Sequence, residues 1–243
     1  MTDALTKYST YELKCRNAHD KNFLANTSEE FQRLYLEARE VTMLSRERLF
    51  DLYSSVGHVI RHEIPGDIVE VGCWGGGALA IALSVVQANG NDRCVWGFDT
   101  FEGHPEPSSD ELDVWGNNQL ERFKELQAQG ADWCKVAIED VQQNVAAICR
   151  STDGLRLVKG KAEETLPIHY PERVSIIRCD VDWYEPSMAT FRSLYPRLSS
   201  GGIVIVDDYG HHSGSKKAVD EYFGELHPKF THIDYSCITF VKL

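Results

Sequence analysis

The sequence predicts an α/β fold: a mostly parallel β-sheet with helices on both faces, ended by an antiparallel C-terminal hairpin. Three observations predict it. From residue 67 to about 226, short β-branched runs alternate with helical stretches, an order that sets parallel strands between covering helices. Several of the apolar runs end on an acid, and the first opens into a Gly-rich turn. Close to the C-terminus, two extended runs are separated by only a few residues, too few for a crossover, so they must pair antiparallel.

Taken in order, residues 30–60 place Leu34, Leu36, Val41, Leu44, Leu49, Leu52, Val56 and Val59 at spacings near three to four with charges between them. That is an amphipathic helical region, and Pro65-Gly66 ends it. Asp67 to Gly72 is short and β-branched, a strand. Gly75-Gly76-Gly77 opens the helix ALAIALSVVQA, which Asn89-Gly90 closes. Cys94 to Asp99, Leu155 to Lys159, Val174 to Asp180 and Ile203 to Asp207 read as the next four strands. Helices are expected near 117–130, 135–150, 187–198 and 215–226. Phe230 to Tyr235 and Thr239 to Lys242 form the hairpin, bringing the sheet to seven strands. Between the second strand and the helix near 117, the segment FEGHPEPSSDELDVWG is rich in Pro, Ser and acids, a loop suited to cover the carboxyl edge where open α/β sheets bind ligands.

Composition excludes several classes. A formal charge of −12 opposes sequence-independent binding to nucleic acid phosphate, which depends on clustered Lys and Arg. The same charge opposes anionic membrane surfaces. The first ten residues lack a basic segment followed by an apolar one, and no apolar run approaches the ~20 residues of a membrane helix. The protein therefore reads as soluble and cytoplasmic. Its seven cysteines (Cys15, Cys73, Cys94, Cys134, Cys149, Cys179, Cys237) are scattered without a C-x-x-C pair, which disfavours a disulfide framework or a zinc knuckle.

Three motifs carry chemistry. In Glu70-Val71-Gly72-Cys73-Trp74-Gly75-Gly76-Gly77, glycines between a strand and a helix either let a ligand approach the backbone or only make a tight turn. Asp99 ends the second strand 27 positions beyond Gly72, where a carboxylate can accept both hydroxyls of a ribose. The pair fits NAD or S-adenosylmethionine. A pyrophosphate wants the G-x-G-x-x-G register, which is missing, and an acidic surround suits a positive sulfonium. The third motif is the most specific: Asp180 ends the fourth strand and Asp207-Asp208 the fifth, so three oxygen donors from adjacent tips can converge on a hard cation such as Mg²⁺. Acids at such tips can also cap following loops or helices.

The stretches GDIVEVGCWGGGA, WGFDTFEGHP, IIRCDVDWYEPSMATFRSLYPRLSSGGIVIVDDYG and KKAVDEYF together resemble the macrocin O-methyltransferase family over about residues 40 to 225. Members are S-adenosylmethionine- and metal-dependent enzymes that methylate sugar hydroxyls of natural products, and catechol O-methyltransferase is a distant cousin. The resemblance implies a Rossmann-like class I methyltransferase domain at 61–243, preceded by a helical extension at 1–60 that acts as a lid or joins subunits. It further implies Asp180, Asp207 and Asp208 on Mg²⁺ or Mn²⁺, Asp182 as general base with Asp180 beside it, and Glu70, Gly72, Trp74 and Gly76 along the methionine part of the cofactor. Asp99 with Thr100 would take the ribose, Lys161 and Ala162 would lie near the adenine, and Met43 and Asp180 would touch the cofactor. The implied acceptor is a sugar-bearing small molecule, a glycoside or a nucleotide sugar, and the implied assembly is a homodimer or larger. The chain departs from the family pattern at Gly75, where many relatives are basic, and through Gly210-His211-His212-Ser213-Gly214-Ser215.

The residues leave other readings open. His211 and His212 are the fallback base, and with a carboxylate they could form the 2-His-1-carboxylate iron site of an oxygenase. The acids could instead be a structural metal site in a nucleoside-binding protein without catalysis, and an NAD-dependent dehydrogenase needs the missing glycine register. Trp183 and Tyr184 suit an acceptor wall or packing on the sheet. Lys216 and Lys217 suit an anionic acceptor or solvated surface. Tyr8, Tyr11 and Phe23 suit a subunit contact or a cover for the site.

Overall fold

The computed structural model describes residues 22–243. Tyr8, Tyr11 and Cys15 lie outside the described residues. The amphipathic region at 30–60 is two helices rather than one: α1, Glu29–Ala38, and α2, Arg46–Arg61. Thr42 is extended, and its Oγ1 accepts from Leu44 N at 3.2 Å. The Ser45 hydroxyl then accepts from Arg48 N and starts α2. Short hydroxyl side chains that bind nearby backbone compete with the helix, and two of them in four residues break it here.

The strands are β1 (Asp67–Val71), β2 (Val95–Asp99), β3 (Leu155–Lys159), β4 (Val174–Cys179), β5 (Leu198–Val206), β6 (Thr231–His232) and β7 (Ile238–Val241). Their order is β3-β2-β1-β4-β5-β7-β6. β1 to β5 run parallel, and β7 pairs antiparallel with both β5 and β6, as the hairpin reading requires. Between them lie α3 (Gly77–Ala88), α4 (Gln119–Ala128), α5 (Ile138–Ile148), α6 (Ala162–Thr165), α7 (Tyr184–Leu194) and α8 (Ser213–Phe223). Only α6, a single turn, lacked a sequence signal.

Two apolar layers sandwich the sheet. Ile68, Ile176 and Ile205 face one layer, and Val69, Ile177 and Val204 face the other, so strands buried on both sides need continuous rather than alternating apolar residues. Phe31 and Leu34 of α1 and Leu49, Leu52 and Val56 of α2 belong to the same cluster as Leu79 of α3. Phe23 joins them edge-on to Phe50, ring centroids 5.7 Å apart. Because β2 and β4 flank β1 on opposite sides, the sheet reverses its winding between β1 and β4, and the crevice opens at that carboxyl edge.

Candidate active site

At the reversal point the tips of β1 and β4 almost touch. Gly72 has φ +86, and a Cβ built on it would stand 1.7 Å from the Asp180 carbonyl oxygen, so no other residue fits there. Asp180 N donates to Val71 O, and Asp207 N to Cys179 O, both at 2.9 Å, which draws the three tips together. Around them lies a cleft of about 510 Å³.

A buried arginine organises the acids. Arg178, cross-strand neighbour of Glu70, donates from Nη1 to Glu70 Oε1 at 2.6 Å and to Asp180 Oδ2 at 2.8 Å, and from Nη2 to Asp207 Oδ1 at 2.5 Å. Arg48 of α2 closes the arrangement from outside: its Nη1 donates to Asp207 Oδ2, and Nε and Nη2 grip Asp234 at 2.7 and 3.1 Å. Ionised, Glu70, Asp180, Asp182, Asp207, Asp208 and Asp234 would set six negative charges against these two guanidinium groups. Burial, against the pull of Arg178, pushes the Glu70 carboxyl up to about 8. Burial and then Asp180 push Asp207 up to about 7, and burial with Asp182, Asp180 and Asp207 pushes Asp208 well above the carboxylate range. Asp208 Oδ2 is buried without a hydrogen-bond partner.

A divalent cation fits this demand. One ligand oxygen each from Asp180, Asp207 and Asp208 lies within 4.8 Å of the others, the convergence expected of the two strand tips.

Asp182 stands beside the acids in a left-handed conformation, φ +62, which a non-glycine residue rarely adopts. Trp183 N donates back to Val181 O at 2.6 Å and Ser215 N to Asp182 O at 3.0 Å, so the turn is held from both sides. Strain of this kind persists where surrounding structure fixes it, often at functional sites. Two imidazoles face the Asp182 carboxylate, His104 Nε2 at 3.4 Å and His212 Nε2 at 3.5 Å from Oδ2. Burial pushes the Asp182 pKa up, but the neighbouring imidazoles and a hydrogen bond to Asp208 bring it below the ordinary value. Burial lowers the His212 pKa, so near neutrality its ring is an uncharged lone-pair donor.

The remaining sequence candidates divide cleanly. Met43, Gly72, Trp74, Asp99, Thr100, Lys161, Ala162, Asp180, Asp182, Asp207 and Asp208 line the cleft. Glu70 and Gly76 do not: Glu70 is buried against Arg178, and Gly76, φ +83, sits under Val141 at the start of α3. Met43 is 63% exposed on the cleft wall rather than packed in the core. Asp99 is already engaged by backbone, with Oδ2 accepting from Cys73 N at 2.7 Å and Trp74 N at 3.1 Å and Oδ1 from Phe101 N at 2.8 Å. It thereby shapes the glycine turn as well as bordering the cleft. His211 and His212 diverge, since Tyr235 Oη meets His211 Nδ1 at 3.0 Å while His212 turns to Asp182. Trp183 is buried behind the cleft against His104, Trp133 and His212, and Tyr184 donates to Glu221 at the surface. Lys216 pairs with Asp220 and Lys217 lies over the Tyr184 ring, both away from the cleft.

Sequence reasoning missed Arg48, Arg178, His104 and Glu111. Arg178 carried the available signal, a charge inside an otherwise apolar strand. Glu111 anchors the acidic loop by accepting from Tyr184 N at 2.8 Å, and Leu112 and Ser213 exchange two further hydrogen bonds. So anchored, the loop carries Asp113, Trp115 and Asn117 to the cleft mouth.

Comparison with known proteins agrees with this geometry. A family model described as Macrocin-O-methyltransferase (TylF) matches residues 9–242. The chain belongs to the macrocin O-methyltransferase family. It is 33% identical over 211 residues to demethyldecarbamoylnovobiocin O-methyltransferase of Streptomyces niveus, covering 84% of this chain and 78% of that one. It is also 33% identical over 182 residues to mycinamicin III 3''-O-methyltransferase of Micromonospora griseorubida, covering 74% and 69%. The solved structure of the O-methyltransferase NovP superimposes with a TM-score of 0.73 at 31% identity, covering 83% and 82% of the two chains. The protein is an S-adenosylmethionine-dependent O-methyltransferase with the class I fold. Among the described residues no helix is long and apolar enough to cross a membrane.

Proposed function

We propose that this enzyme methylates a sugar hydroxyl of a glycosylated natural product or nucleotide sugar, with a divalent cation held by Asp180, Asp207 and Asp208 and with Asp182 as the base. The observation that carries the reading is the convergence of three strand-tip carboxylates beside a strained fourth, in the cleft of a chain with a relative named for 4'-O-methylation of a rhamnosyl tetracenomycin. When bound, S-adenosylmethionine supplies the methyl group, and a divalent cation supplies Lewis acidity that orients and acidifies a pair of acceptor hydroxyls.

The protein's own residues do the rest. Met43, Gly72, Trp74, Asp99 and Thr100, with Lys161 and Ala162 at the far end, form the wall suited to the methyl donor. Arg178 holds Asp180 and Asp207 in fixed rotamers from behind, which sets the ligand oxygens before anything binds. Asp182 takes the acceptor's proton on its carboxylate, with the imidazoles of His104 and His212 facing it across the cleft floor. Trp115, Trp133 and His104 supply an aromatic mouth that excludes water and stacks on a sugar face. Held in line, donor and acceptor react by direct displacement, so positioning supplies much of the rate.

Calorimetric titration with S-adenosylmethionine, with and without Mg²⁺, followed by methyl transfer to a panel of glycosides, tests this. Donor binding in both conditions with turnover only when Mg²⁺ is present is expected. Turnover at full rate in chelator would remove the cation from the reading.

A further inference from the structure

Two donor groups meet at Asp208. One is all oxygen, Asp180, Asp207 and Asp208; the other is Asp182, Asp208 and His212, whose ligand atoms also lie within 4.8 Å of one another. They differ in what is free to bind. In the first group both Asp207 oxygens accept from arginine, and Asp180 Oδ2 accepts from Arg178. In the second, Asp208, 8% exposed, keeps Oδ2 buried with no partner, and Asp182 Oδ2 meets the two imidazoles only at 3.4 and 3.5 Å, beyond a good hydrogen bond. The one side-chain hydrogen bond within the group joins Asp182 to Asp208 through a proton that a cation displaces. Donors bound to one ion at about 2.1 Å stand at most about 4.2 Å apart, so small side-chain rotations close the group on an ion.

Donor chemistry separates the two groups further. Mg²⁺ wants oxygen and ideal octahedral geometry, whereas imidazole nitrogen suits Zn²⁺, Co²⁺ or Ni²⁺. We propose that Asp182, Asp208 and His212, with His104 placed to join as a fourth donor, form a second cation seat that takes a borderline first-row dication in preference to Mg²⁺. The seat lies next to the all-oxygen group and shares Asp208 with it. Its effect on turnover rests on the methyl-transfer reading: an ion held by Asp182 occupies the lone pair that would take the acceptor's proton, so Zn²⁺ inhibits.

The seat is tested without donor or acceptor, on the full chain stripped with chelator. Titration with Co²⁺ should give visible ligand-field absorption that saturates at one equivalent and survives a large excess of Mg²⁺. His212→Gln should weaken Co²⁺ binding by at least about tenfold, as loss of a ligand does, while His211→Gln leaves it unchanged. Absence of the absorption, displacement of Co²⁺ by Mg²⁺, or full binding in His212→Gln would overturn the seat. If His212→Gln does not fold, nitrogen NMR of the wild-type imidazoles decides: Zn²⁺ should move the His212 Nε2 resonance, and an unmoved resonance refutes the proposal. No methyl donor takes part in these measurements, so a failed seat leaves the methyl-transfer reading standing.

Discussion

Asp182 combines three features that a base needs: a left-handed turn that aims it into the cleft, imidazoles that face its carboxylate, and a place beside the acids that would orient the acceptor. Asn tolerates that backbone conformation and keeps the shape, so Asp182→Asn isolates the charge. It should lower kcat by about 10²–10⁴, the usual contribution of general base catalysis, with the S-adenosylmethionine Kd within a few-fold in calorimetry. Near-normal turnover would remove Asp182 as base. Asp207 behaves differently because both its oxygens bind guanidinium groups. Asp207→Asn replaces one accepting oxygen with an amide NH₂ that cannot accept from a guanidinium, so Arg48 or Arg178 loses a buried acceptor, at a cost of about 1–3 kcal/mol or more. Thermal melts should therefore drop for Asp207→Asn much further than for Asp182→Asn, although both lose turnover.

At the scale of elements, the site depends on how closely β1 and β4 approach. Gly72→Ala would drive a methyl into the Asp180 carbonyl, so the strand tips must part and the ligand oxygens with them. The variant should lose donor binding and cation response together, and a normal calorimetric trace for both would contradict this. Glu111 fastens the acidic loop to the start of α7. Glu111→Ala leaves that amide without its acceptor, a loss of about 1–3 kcal/mol, and hydrogen exchange should rise across residues 108–118 while the sheet stays protected. Strands and tips were legible in the sequence because apolar runs that stop on acids have few alternatives: Asp180, Asp207 and Asp208 lie where the pattern puts them. The break at Thr42, the ring contacts of His104 and the reach of Arg48 to Asp234 were not legible. Each depends on residues distant in sequence, 186 positions apart for Arg48 and Asp234, or on local hydroxyl bonding that leaves apolar spacing untouched. Glu70 shows the same limit, because nothing local says whether an acid in a strand faces a ligand or a buried arginine.

Across the whole molecule, an excess of acid is concentrated around the crevice, and Met43 and Leu44 before α2 with Arg48 on it cover one flank, while α1 packs with α2 in the shared core. Asp51, on α2 one turn beyond Arg48, takes part in that field without lining the cleft. Burial raises its pKa from 3.8 to about 6, only partly countered by Arg178, and its Oδ2 has no hydrogen-bond partner. A carboxyl whose folded pKa lies above its unfolded one binds more protons in the folded state, so ionising it costs stability. Below about pH 3 it is protonated in both states and the cost is absent. Between 3.8 and about 6 stability falls as pH rises, and above that range the full cost remains. About two pKa units correspond to about 3 kcal/mol, or several degrees in Tm for a chain of this size. Asp51→Asn removes the ionisation, so its melting temperature should match wild type near pH 3 and exceed it increasingly up to about pH 6.5, with a constant gain above. Glu70, Asp207 and Asp208 are raised as well, but they titrate in both proteins and drop out of the difference. Equal melting temperatures at pH 7 would show that water or a shift of α2 satisfies Asp51, and would put the electrostatic load of the fold on the cleft acids alone.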